Sequence, residues 1–335
     1  MAVRVAINGF GRIGRLVFRA IEERSDALQV VAINDLGSVK ANAHLLKYDS
    51  VHGRFRGEIA AGEDWIDVGR GKVRVIAERD PAKLPWKDLK VDVALECTGL
   101  FTNRESAAKH LEAGARRVLV SAPADGVDFT VVMGVNSDAL KGQHTVISNG
   151  SCTTNCLAPV AYVLNERIGI ARGYMTTIHS FTGDQTLVDT LHKDLRRARA
   201  AGLSMIPTST GAARALGLVI PQLKGKLDGT SIRVPTADVS LIDFTFDAAR
   251  DTSAEEINEL MIDAAKSSRL RGIIGINRDE TVSVDFVHDP HSAIFDTTQT
   301  VVIEKRFCRV VAWYDNEWGF SNRMAEAAAL IGKLG

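Results

Sequence analysis

The chain has 335 residues, 45% hydrophobic and 24% charged, an ordinary globular composition with enough length for two domains. Its 41 Lys and Arg balance its 41 Asp and Glu, so no global field favours nucleic acid or an anionic membrane, and any anion site must be local. No run approaches the roughly 18 apolar residues of a membrane span, and the opening MAVRVAINGFG has neither the basic region nor the apolar run of a signal peptide.

In chain order, VRVAING (3–9) reads as a strand and RIGRLVFRAIEE (12–23) as a helix, with Leu16, Val17, Ala20 and Ile21 on one face. LQVVAIND (28–35), KVRVIAE (72–78), VDVALECTG (91–99), RRVLVSAP (116–123), FTVVMGVN (129–136) and HTVISN (144–149) read as further strands, with a helix at SAAKHLEAG (106–114). Strands alternating with helices imply βαβ units, and runs with little polar alternation imply strands covered on both faces. The expectation is an α/β fold whose N-terminal half is a doubly wound, mostly parallel sheet.

The turn after the first strand carries Gly9, Gly11 and Gly14 in GxGxxG spacing. Asp35 ends the next strand, 21 residues after Gly14. Glycines there permit a tight turn and close approach of a pyrophosphate, which the free N–H groups of the following helix attract. Asp35 would accept hydrogen bonds from ribose hydroxyls and repel a 2′-phosphate, so the pattern reads as NAD rather than NADP.

Beyond residue 150 the texture changes. SIRVPTADVSLIDFTFDAA (231–249), TVSVDFVHD (281–289) and RVVAWYDNEWGF (309–320) alternate along their length and predict a mainly antiparallel sheet with one covered face. SAEEINELMIDAAKSS (253–268) predicts a helix capped by Ser253, with Glu256 at capping-box spacing. SNRMAEAAALIGKLG (321–335) predicts a final amphipathic helix. The polar, arginine-rich connection from about 181 to 206 is long enough to imply a functional loop.

SNGSCTTNC (148–156) sets Cys152 and Cys156 among small polar residues. Metal ligand, disulfide half and nucleophile are the competing readings. Four cysteines (97, 152, 156 and 308) are too few for a disulfide scaffold in a chain this long, and a reduced, cytoplasmic protein is the default. No CxxC pair or HxxxH partner supports a metal, and HDPH (288–291) reads as a turn. Cys152 follows a strand and opens a helix, a position that favours a thiolate. Pro159 implies that this helix kinks or starts late. His179, at the end of an apolar run before a polar loop, is either a base for the thiol or a satisfied strand-end histidine.

SCTTNCLAP, TTIHSFTGDQ, LRRARAAG, IPTSTGAARA, GKLDGTSIRVPT and WYDNEWGFS together resemble the phosphorylating glyceraldehyde-3-phosphate dehydrogenases, from VAINGFGRIGR to the last helix. The resemblance implies Cys152 as nucleophile and His179 as general base, with NAD as cofactor and glyceraldehyde 3-phosphate and inorganic phosphate as reactants. It implies Thr182, Asp184, Arg197 and Arg233 at the substrate phosphate, and Ser151, Thr153, Thr210 and Gly211, again with Arg233, at the attacking phosphate. It implies that Arg12 and Ile13 offer backbone to the pyrophosphate, that Arg79, Thr98 and Ser121 touch the cofactor, and that Asn316 holds the nicotinamide carboxamide. It further implies a homotetramer, with the 181–206 loop near a neighbouring subunit's cofactor.

The expected domains are residues 1–150, completed by 318–335, for NAD and residues 151–317 for catalysis, the latter α+β. Four positions depart from the family pattern: Gly150, Ala237, Asp238 and Phe320. VSVDFVHDPHSAIFDTTQT resembles the related erythrose-4-phosphate dehydrogenases, the nearest alternative. A non-catalytic NAD- or RNA-binding role is the alternative of another class; neutral charge weighs against nucleic acid as a main partner.

Overall fold

The β-branched runs of the first half do pair side by side, in a computed structural model that describes residues 2–24 and 26–334. The chain divides into two compact units. One is Met1–Met133 with Ala139–Ser151 and Ser321–Gly335; the other is Gly134–Asp138 with Cys152–Phe320. Within the second unit, Arg269 holds the short Gly134–Asp138 piece by donating to the Gly134 and Val135 carbonyls and the Asp138 carboxylate.

The first unit's strands are β1 (Val3–Asn8), β2 (Leu28–Asn34), β3 (Ala60–Ala61), β4 (Trp65–Asp67), β5 (Lys72–Ile76), β6 (Val93–Glu96), β7 (Arg117–Val120), β8 (Phe129–Thr130) and β9 (Val146–Ser148). They lie in the order β3-β4-β5-β2-β1-β6-β7-β9-β8. β1 sits at the centre, parallel to β2 and β6, and the strand order reverses around it. Dinucleotides bind at the carboxyl ends of strands at such a switch point. Helices α1 (Arg12–Arg24), α2 (Val39–Lys47) and α3 (Arg104–Glu112) connect the strands. The α1 face read from the sequence is the buried one, with Leu16, Val17, Ala20 and Ile21 covered. The α3 helix starts two residues earlier than expected, because Asn103 caps it by accepting from Ser106 N.

The second unit holds β10 (Ile170–Ser180), β11 (Ile206–Ser209), β12 (Leu227–Val234), β13 (Ser240–Ala248), β14 (Ile274–Asn277), β15 (Ala293–Asp296), β16 (Val301–Ile303) and β17 (Phe307–Tyr314), with helices α4 (Cys152–Arg167), α5 (Ala212–Val219) and α6 (Ala254–Lys266). Helix α7 (Trp318–Ile331) closes the chain. The sheet is mainly antiparallel; β12 beside β10 and β14 beside β15 are the parallel pairs.

Helix α4 starts at Cys152 and runs through Pro159, so it does not start late. Pro159 has no N–H for the Asn155 carbonyl and costs about 3 kcal/mol in a helix interior. Every residue from Thr153 to Ala161 is buried, and each buried Val or Leu contributes about 1.5–3 kcal/mol. Packing outweighs the proline. A helix apolar all round belongs inside its unit.

Two expectations fail locally. Residues 281–289 are not a strand: Ser283–Phe286 forms a 3₁₀ turn, closed by Asp285 Oδ2 accepting from Val282 N at 2.8 Å. Val282 and Val284 imitate strand alternation, yet both face solvent. The 231–249 run is two strands, since Pro235 lies between β12 and β13. Ser253 does cap α6, at 3.2 Å from Glu256 N, but Glu256 binds Arg250 and Thr252, so the expected capping box is only half built.

Candidate active site

Cys152 is the first residue of α4, where backbone N–H groups have no helical acceptor. Its Sγ lies 3.5 Å from His179 Nε2. His179 is buried near the end of β10. Parallel pairing of β10 with β12 sets Arg233 beside it in register. Arg233 Nη1 reaches both His179 Nδ1, at 2.9 Å, and the Ser180 carbonyl, at 3.0 Å. His179 Nδ1 lies 2.7 Å from the same carbonyl. A guanidinium only donates, and Nδ1 cannot donate to Ser180 while accepting from Arg233. The shorter contact decides: Nδ1–H donates to the Ser180 carbonyl, and Arg233 shares that acceptor. Nε2 then turns a lone pair to the thiol, the tautomer a general base requires.

Burial pushes the Cys152 thiol up, while Arg233 and the N–H groups at the start of α4 pull it back. The other thiols lack that pull from Arg233. Burial lifts Cys97 to about 12 and Cys308 to about 11, and takes Cys156 well above the usual range. Burial, followed by the charge of Arg233, lowers His179 to about 3. His179 therefore rests neutral, and the cation at the site is Arg233. Its Nε is buried without a hydrogen-bond partner, a donor available to an anion.

The other residues read as phosphate contacts fall into separate groups. Asp184 accepts from Arg197 Nη1 at 2.5 Å, and Arg197 Nε donates to Thr208 at 3.0 Å, so Asp184 and Arg197 order the 181–205 segment together. Thr182 N donates to Gln185 at 3.3 Å. Thr210 accepts from Ala212 N at 3.2 Å, in front of α5, and Gly211 is the N-cap of that helix. Thr153 is buried, and its hydroxyl meets the Tyr314 hydroxyl at 2.9 Å. Ser151 precedes Cys152 and is half-buried.

In the first unit, the glycine turn is shaped as its spacing implies. A Cβ on Gly14 would lie 2.0 Å from the Gly9 carbonyl oxygen, and one on Gly9, at φ +90°, would lie 2.7 Å from Thr98 N. Only glycine fits either position. A Cβ on Gly11 would meet nothing within 4 Å, so its backbone is open to a ligand. Arg12, Ile13 and Gly14 form the first turn of α1. The Arg12 side chain is committed to Asp49, at 2.6 Å. Asp35 accepts from Phe10 N and Gly37 N, both at 2.8 Å, which holds its carboxylate at the end of the strand. A groove of about 350 Å³ is lined by Gly9, Gly11, Asp35, Arg79 and Thr98, with exposed Leu36. Ser121 hydrogen-bonds Cys97 beside it. A cradle that any Cβ would fill, next to a fixed acceptor for hydroxyl groups, fits a dinucleotide.

A family model described as glyceraldehyde 3-phosphate dehydrogenase, NAD binding domain, matches residues 3–104, and one described as its C-terminal domain matches residues 151–316. The chain belongs to the glyceraldehyde 3-phosphate dehydrogenase family. NAD is its cofactor. Glyceraldehyde-3-phosphate dehydrogenase of Xanthobacter flavus is 64% identical over 337 residues, covering 100% of both chains. The enzymes of that name from Cereibacter sphaeroides and Pseudomonas aeruginosa are 62% and 56% identical, over 100% of both chains and over 99% and 98% respectively.

Several residues of this dehydrogenase's site escaped the sequence reading. Tyr314 is buried, bonded to Thr153 and Thr177, and edge-on to the His179 ring at 5.9 Å; it fixes the base from the side. Its place in WYDNEWG, two residues before Asn316, was the available signal. Ser180 and Ser240 both donate to Asn316 Oδ1, at 2.8 and 2.7 Å. That network orients the amide and directs its NH₂ group elsewhere. No local pattern marks either serine.

The departures also find reasons. Gly150 has φ +65°, a conformation glycine adopts freely. Phe320 is buried. Asp238 is buried and shares a hydrogen bond with the Asp315 carboxyl, which desolvation raises to about 6. Among the described residues, no helix is long and apolar enough to cross a membrane.

Proposed function

We propose that this NAD-dependent glyceraldehyde-3-phosphate dehydrogenase works through a thioester on Cys152 with His179 as general base, and that inorganic phosphate releases the product as 1,3-bisphosphoglycerate. His179 Nε2 takes the Cys152 thiol proton, the thiolate adds to the aldehyde carbon, and the oxygen receives that proton back from Nε2 to give a hemithioacetal. His179 Nε2 then removes that hydroxyl proton, and the oxygen's electron pair forms the thioester carbonyl as hydride departs. NAD, when bound, accepts the hydride. A phosphate oxygen attacks the thioester carbon, the C–S bond breaks, and Cys152 leaves as thiolate. The observation that carries this reading is the 3.5 Å approach of Sγ to an Nε2 whose lone pair is free.

Arg233, with its unpartnered Nε, serves both phosphate groups in this reading. Thr182, Asp184 and Arg197 attend the substrate, and Ser151, Thr153, Thr210 and Gly211 attend the attacking anion. Thr153 takes part through its backbone N–H, since its hydroxyl is held by Tyr314. Arg12 and Ile13 offer N–H groups to the pyrophosphate, Asp35 binds the ribose, Arg79, Thr98 and Ser121 line the cofactor, and Asn316 holds the carboxamide. The catalytic part is the span 151–317 and the cofactor part is 1–150 with 318–335. NADH formation from glyceraldehyde 3-phosphate and from erythrose 4-phosphate, each with phosphate present, tests the substrate. The triose is expected to give the larger kcat/KM; a preference for the tetrose would transfer the enzyme to the alternative family.

The working form in this reading is a cytoplasmic homotetramer. Leu187, Leu191, Leu195, Leu203 and Met205 are each more than 70% exposed along one loop, and Tyr174, Ile303 and Phe307 are exposed on the second sheet. Exposed apolar patches of this kind mark association surfaces, and a closed dimer of dimers needs two different ones. Sedimentation equilibrium at micromolar concentration should give four chains; a monomer would contradict this.

A further inference from the structure

The carboxyl ends of β2, β1 and β6 carry a rung of buried polar side chains that the reaction does not use. Asn34 and Glu96 are the register partners of Asn8. Asn34 Nδ2 donates to Asn8 Oδ1 at 2.7 Å, and Asn8 Nδ2 donates to Glu96 Oε2 at 2.6 Å. His110 Nε2 lies 3.0 Å from the same carboxylate oxygen. The indole Nε1–H of Trp86 points at His110 Nδ1, at 3.0 Å. An indole only donates, so Nδ1 accepts, and the imidazole proton sits on Nε2 and is given to Glu96. The other carboxylate oxygen accepts from Thr98 N at 2.8 Å and from the Thr98 hydroxyl. Glu96, His110 and Trp86 are at most 1% exposed.

Each partner of Glu96 is a donor with one orientation. Asn8 and Thr98 line the cofactor groove, and the Thr98 backbone fills the space a Cβ on Gly9 would need. We propose that Glu96, with its proton donor His110 fixed by Trp86, is a positioning residue for NAD: it presses the Cys97–Leu100 segment against the glycine turn and so sets the groove's far wall. The Thr98 hydroxyl, its proton given to Glu96 and one lone pair taken by Leu100 N at 3.0 Å, then faces a ligand as an acceptor. This inference rests on reading the groove as the NAD site.

The test measures the dissociation constant of NAD by calorimetry at 15 °C, with kcat and KM for NAD and the unfolding midpoint without NAD. Glu96→Gln sets an NH₂ group against inward-pointing donors, so the NAD dissociation constant and KM should rise about tenfold, with kcat at saturating NAD within about twofold. His110→Leu should weaken NAD similarly. His110→Gln, whose amide can accept from Trp86 and donate to Glu96, should restore binding. A purely structural rung would lower the unfolding midpoint in all three and leave NAD affinity unchanged; that result, with normal binding by the parent protein, overturns the proposal. If Glu96→Gln does not fold, the two His110 variants decide, and equal affinities in them overturn it. A parent protein that bound no NAD would overturn the cofactor reading, and this proposal with it.

Discussion

Replacing Cys152 by serine should abolish NADH formation, by roughly 10⁴-fold or more, while NAD binds as before. The argument is chemical. A serine hydroxyl at the start of α4 would keep the helix N–H groups and the Arg233 charge, but an alcohol is far less acidic than a thiol and stays un-ionised there, a much weaker nucleophile. The thiol needs less help, and Arg233 gives it. Cys156 is the internal control. Its Sγ is buried against the Ala312 carbonyl at 3.9 Å and it titrates well above an ordinary thiol, so Cys156→Ser should retain activity within a few-fold. Iodoacetate should modify Cys152 before the other three thiols. Equal losses in the two serine variants, with fold and NAD binding intact, would remove Cys152 from its role.

His179→Gln should slow oxidation by about 10²–10⁴-fold, the usual worth of a positioned general base. Its effect on acid stability has an opposite sign and a separate cause. The folded protein holds His179 near 3, mainly by burial and then by Arg233, against 6.5 for an ordinary histidine. Unfolded chains therefore bind a proton below about 6.5 that the folded protein refuses. The stability is fully present above that pH and is lost as pH falls toward 3. Glutamine does not titrate, so the variant should lose less stability between pH 6.5 and 4 than the parent does, as read by urea midpoints. A variant that kept full oxidation rate would show that another group takes the proton.

Much of this site was legible in the sequence because local chemistry demanded it. Gly9 and Gly14 occupy positions where a Cβ collides with backbone, so their spacing carried its meaning without tertiary information. The Cys152 helix start was readable from a strand running into SCTTNC. The tautomer and charge of His179 were not, because they depend on Arg233, 54 residues away and brought alongside only by strand register. Ser180 and Ser240 were silent for the same reason: their partner, Asn316, comes from the segment after β17. The false strand at 281–289 failed in the other direction. Valine alternation normally reports a covered face, but here Asp285 closes a turn and both valines are exposed.

The most direct measurement of the central claim is a rapid-mixing trace of NADH in phosphate-free buffer, with enzyme at tens of micromolar and aldehyde and NAD in excess. In the proposed mechanism, once Cys152 holds the acyl group as a thioester, further turnover needs an anion that can attack it, and Arg233, with a buried Nε still lacking a partner, would hold that anion. The trace should rise by about one NADH per chain and stop, with the acyl mass on the Cys152 peptide. Adding phosphate, or arsenate in its place, should restart it. Steady NADH production at the full rate without either anion, and no acyl mass on Cys152, would mean that water completes the reaction and that the account of this site is wrong.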